Sequence, residues 1–188
     1  MSDSAFRSFA ESKGFHAQTL SRWLSWEVDD RMALAKLSLE LKPSENYLRD
    51  LMDWSEEIAL RDSIAIAEIF ASKWVYDIAT NPRLGRADKV KRIREILRRM
   101  RFPRLARIED EIQQKIHVLK LQPEIRVTVP RGLEGGRLQI DFSVTNQKDL
   151  KRLADKLAAV AETNVTGEIF SLLGGVAGGS EPVSRRQT

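Results

Sequence analysis

The chain has 188 residues, no cysteine, and 31 Lys or Arg against 27 Asp or Glu. The missing thiols exclude disulfide frameworks, thiolate metal sites and cysteine nucleophiles, and agree with a reducing, cytoplasmic setting. Hydrophobic content of 42% and charged content of 31% describe a soluble folded chain of one domain or two small ones. No apolar run is long enough to span a membrane, and no basic segment followed by an apolar core marks a secretory signal.

From the N-terminus, Ser4 to Leu24 reads as two short helical runs broken at Gly14. Ala10, Gly14 and Leu20 have the spacing of a helix-turn-helix over residues 6–24: a small residue where the helices touch, the turn glycine, and an apolar residue where the second helix packs back. Trp23 gives a second packing position. The polar face of that helix would be Gln18, Thr19, Ser21 and Arg22, side chains able to reach base edges or phosphates. An amphipathic hairpin with Phe9, Leu20 and Trp23 in its core has the same pattern.

Leu34, Leu37 and Leu41 mark a helix over Trp26 to Leu41, stopped by Lys42-Pro43. Ser44 is placed to cap a helix reaching about Arg61, with Tyr47, Leu48, Leu51, Met52, Ile58 and Ala59 forming a wide apolar face and Glu45, Asp50, Asp53, Glu56 and Glu57 mostly opposite. Asp62 or Ser63 would cap the run SIAIAEIFASKWVYDIA. That run is apolar on nearly every side through Ile66, Ile69, Phe70, Trp74, Val75 and Ile78. It is expected to be the buried central helix of an N-terminal helical region, residues 1–82.

Basic charge is concentrated in Arg83 to Arg107, which holds eleven of the 31 Lys and Arg residues and two of the 27 acids. The rest of the chain has 20 basic and 25 acidic residues and is net acidic. The period predicts a helix from about Arg86 to Met100 inside a basic connector, residues 83–103. Val90, Ile93, Ile96, Leu97 and Met100 form its apolar stripe; Lys89, Lys91, Arg92, Arg94, Arg98, Arg99 and Arg101 cover the other arc. Such a face meets nucleic-acid phosphates, is neutralised by an acidic surface such as the helix 45–57, or is solvated.

A helix from Arg104 to Leu121 follows Pro103, and after Gln122-Pro123 the period falls to two. Ile125, Val127 and Val129 alternate with polar residues, as do Leu138, Ile140, Phe142 and Val144, across a turn holding Gly132, Gly135 and Gly136. This is a β-hairpin with one apolar face. Asn146 caps a closing helix to about Glu162 with Leu150, Leu153, Leu157 and Val160 inward, and Ile169 to Leu173 forms an adhesive apolar patch. The glycine-rich tail, 174–188, is expected to be disordered. The fold class is α+β, mostly α, with an α-β-β-α unit over 104–173. Two strands are marginal alone, so dimerisation through Ile125, Val127, Val129, Leu138, Ile140 and Phe142 is expected to give a homodimer.

Catalytic, metal and cofactor sites find no support. His16 and His117 have no ligand set, neighbouring carboxylates point to different sides of their helices, and the glycine turn is followed by a strand rather than by the lysine and helix of a phosphate loop. The four tryptophans read as core or interface anchors.

Gly136, Arg137, Leu138, Ile140, Phe142, Asp149, Leu150, Arg152 and Leu153 follow a strand of the type G-R-[IL]-x-I-x-[FY] and a helix of the type D-L-x-R-L. The segment 104–162 thereby resembles the C-terminal dimerisation unit of ParB-type chromosome and plasmid partition proteins. The resemblance implies pairing through strands and helices, with Arg126, Arg131 and Arg137 holding DNA without sequence preference. No counterpart of that family's nucleotide-binding domain is found, nor its helix-turn-helix at the usual place, so its clamp and nucleotide switch are not implied. The combined expectation is a non-enzymatic DNA-associated protein of partition or regulator type. The alternative is a scaffold subunit whose basic helix docks on an acidic protein and whose Ile169 to Leu173 patch binds a partner.

Overall fold

The computed structural model describes residues 3–177. These residues form ten α-helices, one 3₁₀ turn and one two-stranded antiparallel sheet, a mostly helical α+β architecture. The chain divides between Pro103 and Arg104 into two units, each with its own hydrophobic core.

In the first unit, α1 (Asp3–Ser12) and α2 (Ala17–Leu24) are joined through Gly14, whose φ of 69° is a left-handed conformation that glycine adopts without a Cβ penalty. Ala10, Phe6 and Trp23 are fully buried. The Phe6 and Trp23 rings lie 4.4 Å apart, and the indole N–H of Trp23 donates to the Arg31 carbonyl at 2.8 Å. That bond satisfies the one polar atom the indole carries into the core.

Both α3 (Val28–Leu41) and α4 (Glu45–Asp62) end on left-handed residues, Lys42 and Ser63, which turn the chain sharply after each helix. Leu48, Leu51, Met52, Ser55 and Ile58 put one face of α4 wholly inside. It packs along α7 (Arg86–Arg101), whose Val90, Ile93 and Leu97 are the buried part of the expected stripe. The basic segment is therefore part of this core and not a separate connector.

The run expected to be one buried central helix is two short helices, α5 (Ile66–Ala71) and α6 (Lys73–Ala79), separated by extended Ser72. The break turns Trp74 (68% exposed) and Tyr76 (62%) to solvent while Ile69, Phe70 and Val75 remain buried. Capping explains the late start. Ser63 terminates α4 and Asp62 pairs with Arg61. The first-turn N–H of Ala67 is instead satisfied by the Asp30 carboxylate, reaching from α3 at 2.7 Å. Asp30 thus caps a helix far from it in sequence.

The second unit opens with α8 (Pro103–Val118), continues through β1 (Arg126–Thr128), the 3₁₀ turn Arg131–Gly136 and β2 (Gln139–Asp141), and closes with α9 (Gln147–Ala161) and α10 (Asn164–Ala177). Arg126 pairs with Asp141, Val127 with Ile140 and Thr128 with Gln139. The ladder is three pairs long, shorter than the alternation from Ile125 to Val129 and from Leu138 to Val144. Asn146 caps α9, its side chain accepting from the Asp149 N–H at 2.8 Å. Leu153 is buried, but Leu150, expected inward, is 45% exposed. Ile112, Ile125, Val127, Leu133, Ile169 and Leu173 share one core. Ile169 and Leu173, expected in an adhesive patch, are fully buried because α10 lays them inward. Of the expected tail, 174–177 belong to α10 and 178–188 lie outside the described residues.

Candidate nucleic-acid interface

The acidic face of α4 decides which basic side chains remain available. On one flank it meets α2. Arg22 binds Asp53 at 2.5 Å and Glu56 at 2.6 Å, and the Trp26 indole donates to the same Glu56 at 2.7 Å. These carboxylates, the Glu56 hydrogen bond first, hold the Arg22 guanidinium well above its ordinary value. Thr19 is buried and its hydroxyl donates to Glu45 at 2.6 Å; the His16 N–H donates to the same oxygen. The Thr19 hydrogen bond is the main cause of the lowered pKa of Glu45. The expected reading face of α2 is thus split: Thr19 and Arg22 are bound internally, and Gln18 and Ser21 are exposed.

On its other flank α4 meets α7. Arg94 binds Asp50 at 2.6 Å, and its guanidinium lies 5.2 Å from the ring centres of both Tyr47 and Trp54. Arg101 makes two bonds to the Glu57 carboxylate. Within α7, Arg98 pairs with Glu95 at 2.7 Å. Lys89 donates to the Ala79 carbonyl at 2.6 Å, and Arg99 is half-buried and engaged. Arg61 donates to the carbonyls of Met100 and Arg101, capping the negative end of the helix. Five of the seven expected phosphate-binding side chains on α7 are therefore committed inside the unit. Lys91 and Arg92 are exposed and have no ion pair among the described residues.

Lys91 also lines a groove of about 510 Å³ with Lys13, Lys42 and Arg86. Lys13 leaves the end of α1, Lys42 is the left-handed residue closing α3, and Arg86 opens α7. None of the four forms an ion pair among the described residues, and Asp88 is the one acid in the lining. Leu41, Pro43 and Val90 are buried below, and Tyr47 stands in the wall. Sequence reading misses Lys13, Lys42 and Arg86 as a set, because two are isolated cations and only the fold gathers them.

In the second unit Arg126 and Arg137 are exposed, and the Arg131 side chain lies outside the described part. Arg137 folds back over Gly135: a Cβ there would come within 3.1 Å of its Nε, and the φ of 75° also favours glycine. Arg152 and Lys156 hold Glu124 at 2.5 and 2.9 Å, and these bonds, Lys156 first, lower its pKa. Ile125 and Val127, expected at a dimer interface, are covered by the unit's own core. Ile140 and Phe142 on the β2 side remain 40% and 37% exposed, and the outer edge of β2 has no strand beside it among the described residues.

No group of three or more His, Asp or Glu gathers at metal-binding distance among the described residues, and no described helix is long and apolar enough to cross a membrane. Compared with protein-family models, curated proteins and solved structures, the chain matches none.

Proposed function

We propose that this chain is a non-enzymatic, DNA-associated protein of partition or regulator type, cytoplasmic and homodimeric, that binds nucleic acid through its phosphates. The supporting observation is the convergence of Lys13, Lys42, Arg86 and Lys91 on one groove whose one acid is Asp88, with none of the four in an ion pair among the described residues, beside exposed Arg92. Desolvated or internally paired arginines contribute little to an incoming polyanion; unpaired cations release its counterions and attract it. In the second unit Arg126 and Arg137 are exposed to the same kind of partner, and the open β2 edge supports association of two copies.

The test is a titration of duplex and single-stranded DNA at several salt concentrations. Four phosphate contacts give a log-log slope of about 3 to 4. Absence of binding at about 50 mM salt, where phosphate contacts are strong, overturns the reading. A second reading is docking on another protein. It is favoured by a groove of about 610 Å³ beside α3, α5 and α6, where Phe70, Val75 and exposed Tyr76 line the wall together with Asp29, Lys36 and Glu40. Binding of an acidic protein that DNA fails to displace would support it.

A further inference from the structure

We propose that the groove of Lys13, Lys42, Arg86 and Lys91 takes a single strand of nucleic acid, with phosphates on the cations and one base stacked on Tyr47. This deepens the phosphate-binding reading and rests on it. The lining combines two chemistries that a duplex would not use together. Its rim carries four positive charges against Asp88 alone, and its floor is the apolar surface of Leu41, Pro43 and Val90. A duplex shows phosphates on a convex ridge and keeps its base faces stacked inside. A single strand offers phosphates and an open base face side by side, which a basic groove with an aromatic wall matches.

Tyr47 is held for this task before any ligand arrives. Arg94 covers its ring at 5.2 Å, is itself backed by Trp54 at 5.2 Å, and is fixed by Asp50 at 2.6 Å. One ring face is thus occupied by a guanidinium with its own anchors, while the residue remains 36% exposed and lines the groove. A ring already locked in place loses little rotamer freedom when a base stacks on it. The volume of about 510 Å³ suits one nucleotide-sized group, within the roughly 300–1,000 Å³ of small-molecule sites.

The experiment is an anisotropy titration of the full chain with a labelled oligothymidylate of about twelve nucleotides and with a duplex of equal length, at about 50 mM salt and above. The single strand should bind more tightly than the duplex. Tyr47→Ala should weaken single-strand binding by roughly tenfold, leave the salt slope unchanged and leave duplex binding unchanged. Tyr47→Trp should restore single-strand affinity, which separates stacking from loss of packing against Arg94. Lys13→Glu with Lys91→Glu should lower the slope by roughly one to two. If the duplex binds at least as tightly, or neither Tyr47 variant moves single-strand affinity, the single-strand inference is overturned and the phosphate reading stands. If neither nucleic acid binds, both fail together.

Discussion

Thr19 shows how one side chain can look like a contact to DNA and serve as a brace. Its hydroxyl is 2.6 Å from the Glu45 carboxylate, which also accepts from the His16 N–H at 3.0 Å. Replacement by Val removes a nearly buried hydrogen bond, at a cost of about 1 kcal/mol. The cost should depend on pH in a definite direction. Glu45 is depressed below its ordinary value of 4.5, so its contribution is complete above that value and is lost as pH falls through the lowered one. Urea melts of the wild type and Thr19→Val should differ at neutral pH and converge in acid, below the depressed pKa of Glu45. An equal gap at both would mean that the ionised carboxylate is not the partner that matters. Arg22 carries the same lesson. Arg22→Ala should lower stability by about 1 kcal/mol, since the pair is a third exposed and partly screened, and should leave DNA affinity unchanged. A tenfold loss of affinity with the fold intact would return Arg22 to the reading face.

Between elements, the decisive pairing is α4 with α7. Arg94→Ala removes an ion pair and two aromatic contacts and should cost about 1–2 kcal/mol; Lys91→Glu should move stability by less than about 0.5 kcal/mol and weaken phosphate binding. Melts and titrations of both variants, run side by side, check this division, and a reversed pattern overturns it. Much of this was legible in the chain. The stripes Leu48 to Ile58 and Val90 to Leu97 placed both helices, and neutralisation of the basic face by helix 45–57 was one of the three outcomes its charge allowed. What could not be read was Asp30 capping α5 from another helix, because the cap lies 37 residues before Ala67. Local periodicity therefore joined α5 and α6 across Ser72. The groove as a set was hidden for the same reason, since Lys13 and Lys42 are far in sequence from Arg86 and Lys91 until the fold closes. In the second unit the strand pattern foretold the sheet, but not that core residues of the same chain would cover Ile125 and Val127. The open β2 edge makes a definite pairing testable. Two β2 strands, antiparallel about Gln139, would set Arg137 opposite Asp141 of the partner subunit and Leu138 opposite its Ile140. Light scattering should show Arg137→Asp and Asp141→Arg each lowering the dimer fraction and the double swap restoring it. A monomeric wild type, or no rescue, overturns that pairing.

At the scale of the whole chain, two cores with no shared residue imply two stability units. Ile58 and Ile112 are each fully buried, one in each core. Truncation of either to Ala should cost about 2–5 kcal/mol through lost burial and a residual cavity. Calorimetry should resolve two transitions, with Ile58→Ala lowering one and Ile112→Ala the other. Ligand linkage then gives each transition a functional identity. The groove lies wholly in the first unit, so an oligonucleotide at about 100 times its dissociation constant should raise that unit's transition by about 2.7 kcal/mol of stability. The transition assigned by Ile112→Ala should stay in place unless Arg126 and Arg137 also engage the strand. Shift of the first transition alone would assign binding to the groove. Shift of both would bring the second unit into the binding surface. A single transition lowered equally by the two substitutions would show instead that the units unfold as one, and the independence argued from their separate cores would be wrong.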